Sequence, residues 1–213
     1  MESRWDGDCS LHNATNSENH WKTPQSRLSF VLLVLLAACP AAYSQQTTLQ
    51  LDPAKTSVKF TVGDVLHTVH GTFRLKRGAL QLDTAAEKLT GEIVVDARSG
   101  DSGSKMRDGK MHREVLESEQ FPEISFRPDR LSGTVNGDGK SSVRVHGIFT
   151  IHGVEREIEV PAEADLAADH WSASLHFTIP YVKWGMKNPS ALFLKVDDTV
   201  AIDLVAAGSL SQP

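Results

Sequence analysis

The sequence predicts an all-β domain of antiparallel strands, and three observations carry that prediction. Apolar and polar residues alternate with a period of two in many short segments. Gly, Asn, Asp and Pro residues separate those segments, and only one stretch departs from the alternation.

Taken in order, the first segment sets Val58, Phe60 and Val62 against Ser57, Lys59 and Thr61, which sends one row inward and the other to solvent. Residues 71–76 and 89–96 follow as strands. Residues 105–119 break the pattern: Met106, Met111, Val115 and Leu116 are scattered among charges, and Met111, Val115 and Leu116 share one helical face. This stretch is expected to form a short helix or structured loop that docks on the sheet as a lid. Further strands are expected at 123–127, 131–135 and 143–151, with Asn136-Gly137-Asp138-Gly139 supplying residues that tolerate the positive φ of a tight hairpin. At 154–160 the residues Val154, Arg156, Ile158 and Val160 oppose Glu155, Glu157 and Glu159. At 172–179 the row Ala173, Leu175, Phe177 and Ile179 opposes Ser172, Ser174, His176 and Thr178, and the last strand covers 199–206. About eight short strands with one apolar face must pack on a second sheet or close on themselves, and closure also removes exposed edges. The alternation alone fits a sandwich and a barrel equally.

The chain has 213 residues, 40% hydrophobic and 23% charged, which is the composition of a soluble globular protein. Its formal charge of −5 offers no basic surplus for neutralising phosphates, so no nucleic-acid partner is expected. Residues 28–38, LSFVLLVLLAA, are too short to span a bilayer and match the hydrophobic region of a secretory signal. Arg27 provides the positive flank, and Ala42-Tyr43-Ser44 the small residues of a cleavage site. Residues 1–44 are therefore read as a signal peptide with an extended polar N-terminal segment, and 45–213 as the mature domain, periplasmic or secreted. Leu36-Ala37-Ala38-Cys39 offers the alternative of a lipoprotein anchored through Cys39. Both cysteines, Cys9 and Cys39, precede Ser44, so disulfides, thiolate nucleophiles and Cys-ligated zinc are excluded from the mature domain.

Four segments, in order, resemble the YceI-like family of exported polyisoprenoid-binding proteins. They are Val69-His70-Gly71-Thr72-Phe73 followed by Gly78; Lys105-Met106-Arg107-Asp108-Gly109-Lys110-Met111 running into Phe121-Pro122-Glu123-Ile124-Ser125-Phe126; Gly147-Ile148-Phe149-Thr150-Ile151-His152-Gly153-Val154; and 179–185 with 198–205. The resemblance, spanning roughly 48–208, implies an eight-stranded antiparallel lipocalin-like barrel around an apolar channel. It also implies a bound isoprenoid lipid, an isoprenoid quinone or polyprenyl phosphate, and membrane contact during lipid exchange. The family commonly places a histidine after R-D-x, whereas this chain has Lys110, with His112 two positions later. The resemblance implies Arg107, Lys110 and His112 as the head-group residues, with Lys110 as a point charge for a phosphate in place of the family's histidine. The alternative is an Arg107–Asp108 ion pair that pins the lid.

Val58, Phe60, Phe73, Phe126, Phe149, Leu175 and Phe177, inward positions from several strands, are the residues that would line the channel the resemblance implies. Alternation does not separate a lined channel from a filled core, so a non-enzymatic structural or stress-response module stays open as the rival reading. No catalytic residue, cofactor or metal site is expected. The mature part lacks a GxSxG elbow and a Gly-rich phosphate loop, and the charges Asp96, Arg98, Asp101, Lys105, Arg107 and Asp108 read as a solvated loop surface. His67, His70, His112, His146, His152, His170 and His176 form no compact ligand pair. His146 and His152, on one strand face, stand about 20 Å apart in extended chain. A metal-dependent enzyme is the third and most distant reading.

Overall fold

A computed structural model describes residues 46–64, 67–191 and 195–211. The expected leader, with Cys39 and the Ser44 cleavage position, lies outside the described residues. Among the described residues there are nine strands: β1 (Gln46–Leu51), β2 (Ser57–Gly63), β3 (Thr68–Asp83), β4 (Lys88–Asp101), β5 (Glu123–Ser132), β6 (Gly139–Ile151), β7 (Val154–Leu166), β8 (His170–Ile179) and β9 (Val200–Ser211). Helix α1 (Lys105–Lys110) runs directly into a π-helical turn (Met111–Val115) between β4 and β5.

The strands pair in the order β1-β3-β2-β9-β8-β7-β6-β5-β4, with β3 also pairing β4 and β1 also pairing β9. Every pairing is antiparallel. The ring therefore closes with eight positions, as the family resemblance implies, and one position is shared. β1 lies between Ala79–Asp83 of β3 and the end of β9, whereas β2 lies between Thr68–Phe73 and Ala201–Val205. Asp52–Thr56 bridges the two pieces, held where Asp52 N–H donates to the Ala207 carbonyl and the Asp52 carboxylate accepts from Ala54 N–H. A Pro-containing break inside one strand lane has this form because Pro53 has no N–H for a ladder. β1 itself carried too few alternating residues to be read from sequence.

Two expectations are corrected. Residues 131–135 are not a separate strand: β5 continues through Pro128, with a register shift between Pro128 and Arg130, and stops at Ser132 before Gly133 at φ 107°. The β5–β6 connection is also not a tight hairpin through Asn136-Gly137-Asp138-Gly139. Positive φ falls on Gly133 and Gly139, and the Asn136 side chain closes a wider loop by donating to the Lys140 carbonyl at 2.6 Å. The two-residue hairpin occurs instead between β6 and β7, where His152 and Gly153 both have positive φ.

The inward rows form two apolar clusters inside the ring. One contains Leu49, Leu51, Leu80, Leu82, Leu166 and Trp171; the other contains Val115, Leu116, Phe149, Ile179, Tyr181 and Met186. Phe73, Ile124, Phe126, Ile158 and Phe177 pack against both. The outer face carries cross-strand charge pairs, among them Lys76–Glu123, Arg77–Glu92 and Arg144–Glu159. No helix among the described residues is long and apolar enough to cross a membrane.

Candidate functional site

A cavity of about 610 Å³ runs inside the ring, lined almost wholly by apolar side chains. All seven channel positions read from the alternation face it: Val58 and Phe60 from β2, Phe73 from β3, Phe126 from β5, Phe149 from β6, and Leu175 and Phe177 from β8. Their rings form a belt. Phe60 and Phe73 have centroids 5.3 Å apart, Phe149 meets Phe177 edge-on at 6.1 Å, and Phe126 is the register partner of Phe149. Gly71 makes room for this belt, because a Cβ there would overlap the ring of Phe60 and crowd the Asp101 carbonyl.

One end of the cavity is lined by Leu80, Leu89, Leu131, Val143, Trp171 and Ala206. Beyond them Leu49, Leu51, Leu82 and Leu166 are buried in the same cluster without reaching the cavity, so side chains cap that end. The other end is covered by the lid and by the loop between β8 and β9, through Met106, Arg107, Lys110, Met111, Pro189 and Val196. The lid docks by the face expected from sequence: Val115 and Leu116 are buried and Met111 packs on the same cluster. Met106, in contrast, is 86% exposed at the rim.

The three head-group positions separate. Arg107 and Lys110 border the cavity, but both already donate within the protein: Arg107 to the Ser102 hydroxyl and carbonyl, each at 2.8 Å, and Lys110 to the Pro189 carbonyl at 2.6 Å. His112 turns away from the cavity, with Nε2 at 3.0 Å from the Gly100 carbonyl and Nδ1 at 3.1 Å from the Ser118 hydroxyl. The π turn, which shifts the side-chain phase by a residue relative to an α-helix, accompanies this outward placement. The alternative Arg107–Asp108 ion pair is not the pin either. Asp108 accepts instead from the Ser102 N–H at 2.9 Å, so both residues converge on Ser102.

The remaining charges of the 96–108 stretch serve the loop. Asp96 accepts from Arg98 N–H and Asp101 from Gly103 N–H. Each histidine has local partners: His146 pairs with Asp129 and His176 with Asp203, both at 2.7 Å, and His152 pairs with Glu117 at 3.2 Å. Among the described residues no three His, Cys, Asp or Glu side chains gather as a metal site would require.

Sequence reasoning missed two kinds of cavity residue. Trp171 lies one alternation step before Ala173 on the inward row of β8, so extending that row would have found it. Tyr181 and Met186 sit in a loop without periodicity, positioned by turn hydrogen bonds such as Met186 N–H to the Tyr181 carbonyl. Burial, with Asp198 and Asp197 adding to it, pushes the Tyr181 phenol up to about 12, and its hydroxyl donates to the Asp197 carbonyl at 2.7 Å. Among the described residues, two buried side-chain polar atoms have no hydrogen-bond partner. They are Thr150 Oγ1, on the outward row of β6, and Trp171 Nε1.

Three solved structures share this architecture. BcnA of Burkholderia cenocepacia is 17% identical, with a TM-score of 0.62 over 74% of this chain and 99% of that one. A polyisoprenoid-binding domain from Saccharophagus degradans, implicated in plant cell wall breakdown, is 17% identical, with a TM-score of 0.59 over 77% and 98%. The YceI protein of Campylobacter jejuni is 16% identical, with a TM-score of 0.54 over 68% and 86%. No protein of curated function matches in sequence. The model of the YceI-like domain matches residues 49–207, the whole ring but for its outermost residues, and the chain belongs to that family.

Proposed function

We propose that this protein is a non-enzymatic carrier that sequesters a polyisoprenoid chain, an isoprenoid quinone or a polyprenyl phosphate, inside its ring. The observation that carries the reading is the cavity: about 610 Å³, apolar along its length, and within the range of about 300–1,000 Å³ usual for ligand pockets. Each buried methylene contributes about 0.8 kcal/mol, so even partial insertion of a prenyl chain offsets its ordering cost. Val58, Phe60, Phe73, Phe126, Phe149, Leu175 and Phe177 would contact the chain, while Arg107 and Lys110 lie where a head group at the mouth would sit. The Saccharophagus relative, described as polyisoprenoid-binding, supports the ligand class.

The carrier works outside the cytoplasm, released after Ser44 or anchored through an acylated Cys39, and takes up lipid by touching a membrane. Organic extraction and mass spectrometry of the purified protein test the ligand, with close to one prenyl chain per protein expected. Wild type that carries no extractable lipid and binds no added prenyl compound is a structural module instead. Intact mass of the exported protein distinguishes a chain starting at Gln45 from a diacylated one starting at Cys39.

A further inference from the structure

Along the cavity, the donors at the mouth each have protein acceptors and the donor at the capped end has none. Arg107 donates to Ser102 and Lys110 to the Pro189 carbonyl. Trp171 is 4% exposed, lines the cavity, and its indole nitrogen has no partner. A buried N–H without an acceptor is costly, and native interiors rarely leave one so. The side chains around that end, Leu80, Leu89, Leu131, Val143 and Ala206, supply no acceptor and no charge. Trp171 also stands eight residues from Ile179 along β8, about 26 Å at the usual rise, so this position is remote from the mouth.

We propose that Trp171 Nε1–H is a ligand-binding group, donating to a neutral acceptor oxygen at the capped end of the cavity. A ligand bearing a quinone or similar carbonyl oxygen fits. A phosphate does not, because no cation lines that end to offset its desolvation. This deepens the carrier reading and rests on it: of the two ligand classes it selects the neutral oxygenated one, inserted oxygen first with its chain toward the lid.

The test compares three probes on wild type and Trp171→Phe by displacement of a fluorescent polyene: a benzoquinone carrying two isoprene units, squalene, and geranylgeranyl phosphate. Trp171→Phe is expected to weaken the quinone about 5- to 10-fold, the value of one hydrogen bond, and to leave squalene within about twofold. Equal weakening of quinone and squalene would assign Trp171 to packing alone, and no change in either would assign its N–H to a water; both overturn the proposal. So does a preference for the phosphate that is lost in Arg107→Ala and Lys110→Ala. Wild type that binds none of the probes overturns the carrier reading itself, a result visible before any variant is made. Should Trp171→Phe fail to fold, the wild-type indole N–H resonance decides: it should move with the quinone and stay with squalene.

Discussion

Lys187 donates to Glu114 Oε2 at 3.0 Å, which ties the π turn of the lid to the loop between β8 and β9. Seventy-three residues separate the two in sequence, and the Lys110–Pro189 bond joins the same two segments across 79. The mouth is thus crossed by two polar latches above an apolar interior. Because the hydrogen bond from Lys187 holds the Glu114 carboxyl below its ordinary value of 4.5, the latch is complete above that pH and is lost as pH falls below it. Protection factors for amide hydrogen exchange over residues 105–116, corrected for the intrinsic pH dependence of exchange, should fall a few-fold on acidification. Glu114→Gln should show the faster exchange already at neutral pH, with little change in global stability, as expected of an exposed pair.

The other pH limb is alkaline. With the Tyr181 phenol raised to about 12 in the folded state, its contribution to stability is intact below 10.0 and is lost as pH rises from there toward 12. Phenolate absorbance should show a tyrosine titrating near 12. Denaturant midpoints should fall across that window by the equivalent of about 1–3 kcal/mol. Tyr181→Phe should flatten this limb while costing about 1 kcal/mol at neutral pH, from the lost bond to the Asp197 carbonyl.

Enlarging an aromatic residue of the belt separates an occupied cavity from a packed core. Phe177→Trp should lower retained isoprenoid several-fold and leave the unfolding midpoint nearly unchanged, since the added ring enters cavity space. A loss of about 1–3 kcal/mol in lipid-free protein would mean that no such space exists.

At the shared lane of the ring the tolerance is smaller. A Cβ on Gly208 would overlap the Gln50 carbonyl, and one on Gly78 would press on Leu51. Gly208→Ala should destabilise by about 3 kcal/mol or more and should expose β1 to proteolysis before the rest of the ring.

Legibility of the fold in the sequence tracked how strictly side chains alternate. β2, β6 and β8, half buried on one face, were readable almost residue by residue, and with them the belt Phe60, Phe149 and Phe177. β1 was hidden because only Leu49 and Leu51 of its six residues are buried. The lid was recognisable by Met111, Val115 and Leu116, but its π turn was not, and so the outward placement of His112 was not either. Tyr181 and Met186 depend on turn hydrogen bonds with no periodic trace. Trp171 could be placed on the inward row, yet the missing partner of its nitrogen is a property of the three-dimensional surroundings alone.

The seam between the first strands and the last bears on how the molecule comes into being. β9 supplies the partner of β1, β2 and β8 at once, so until residues 200–211 are in place all three strands present bare edges and the interior lies open to water. Joining chain segments about 150 residues apart is a late and slow event, whatever the strength of the local hairpins. A ribosome or translocation channel still holding the last dozen residues would therefore keep the molecule an unsealed sheet, and the same interval would be the one in which a hydrophobic guest needs no doorway at all.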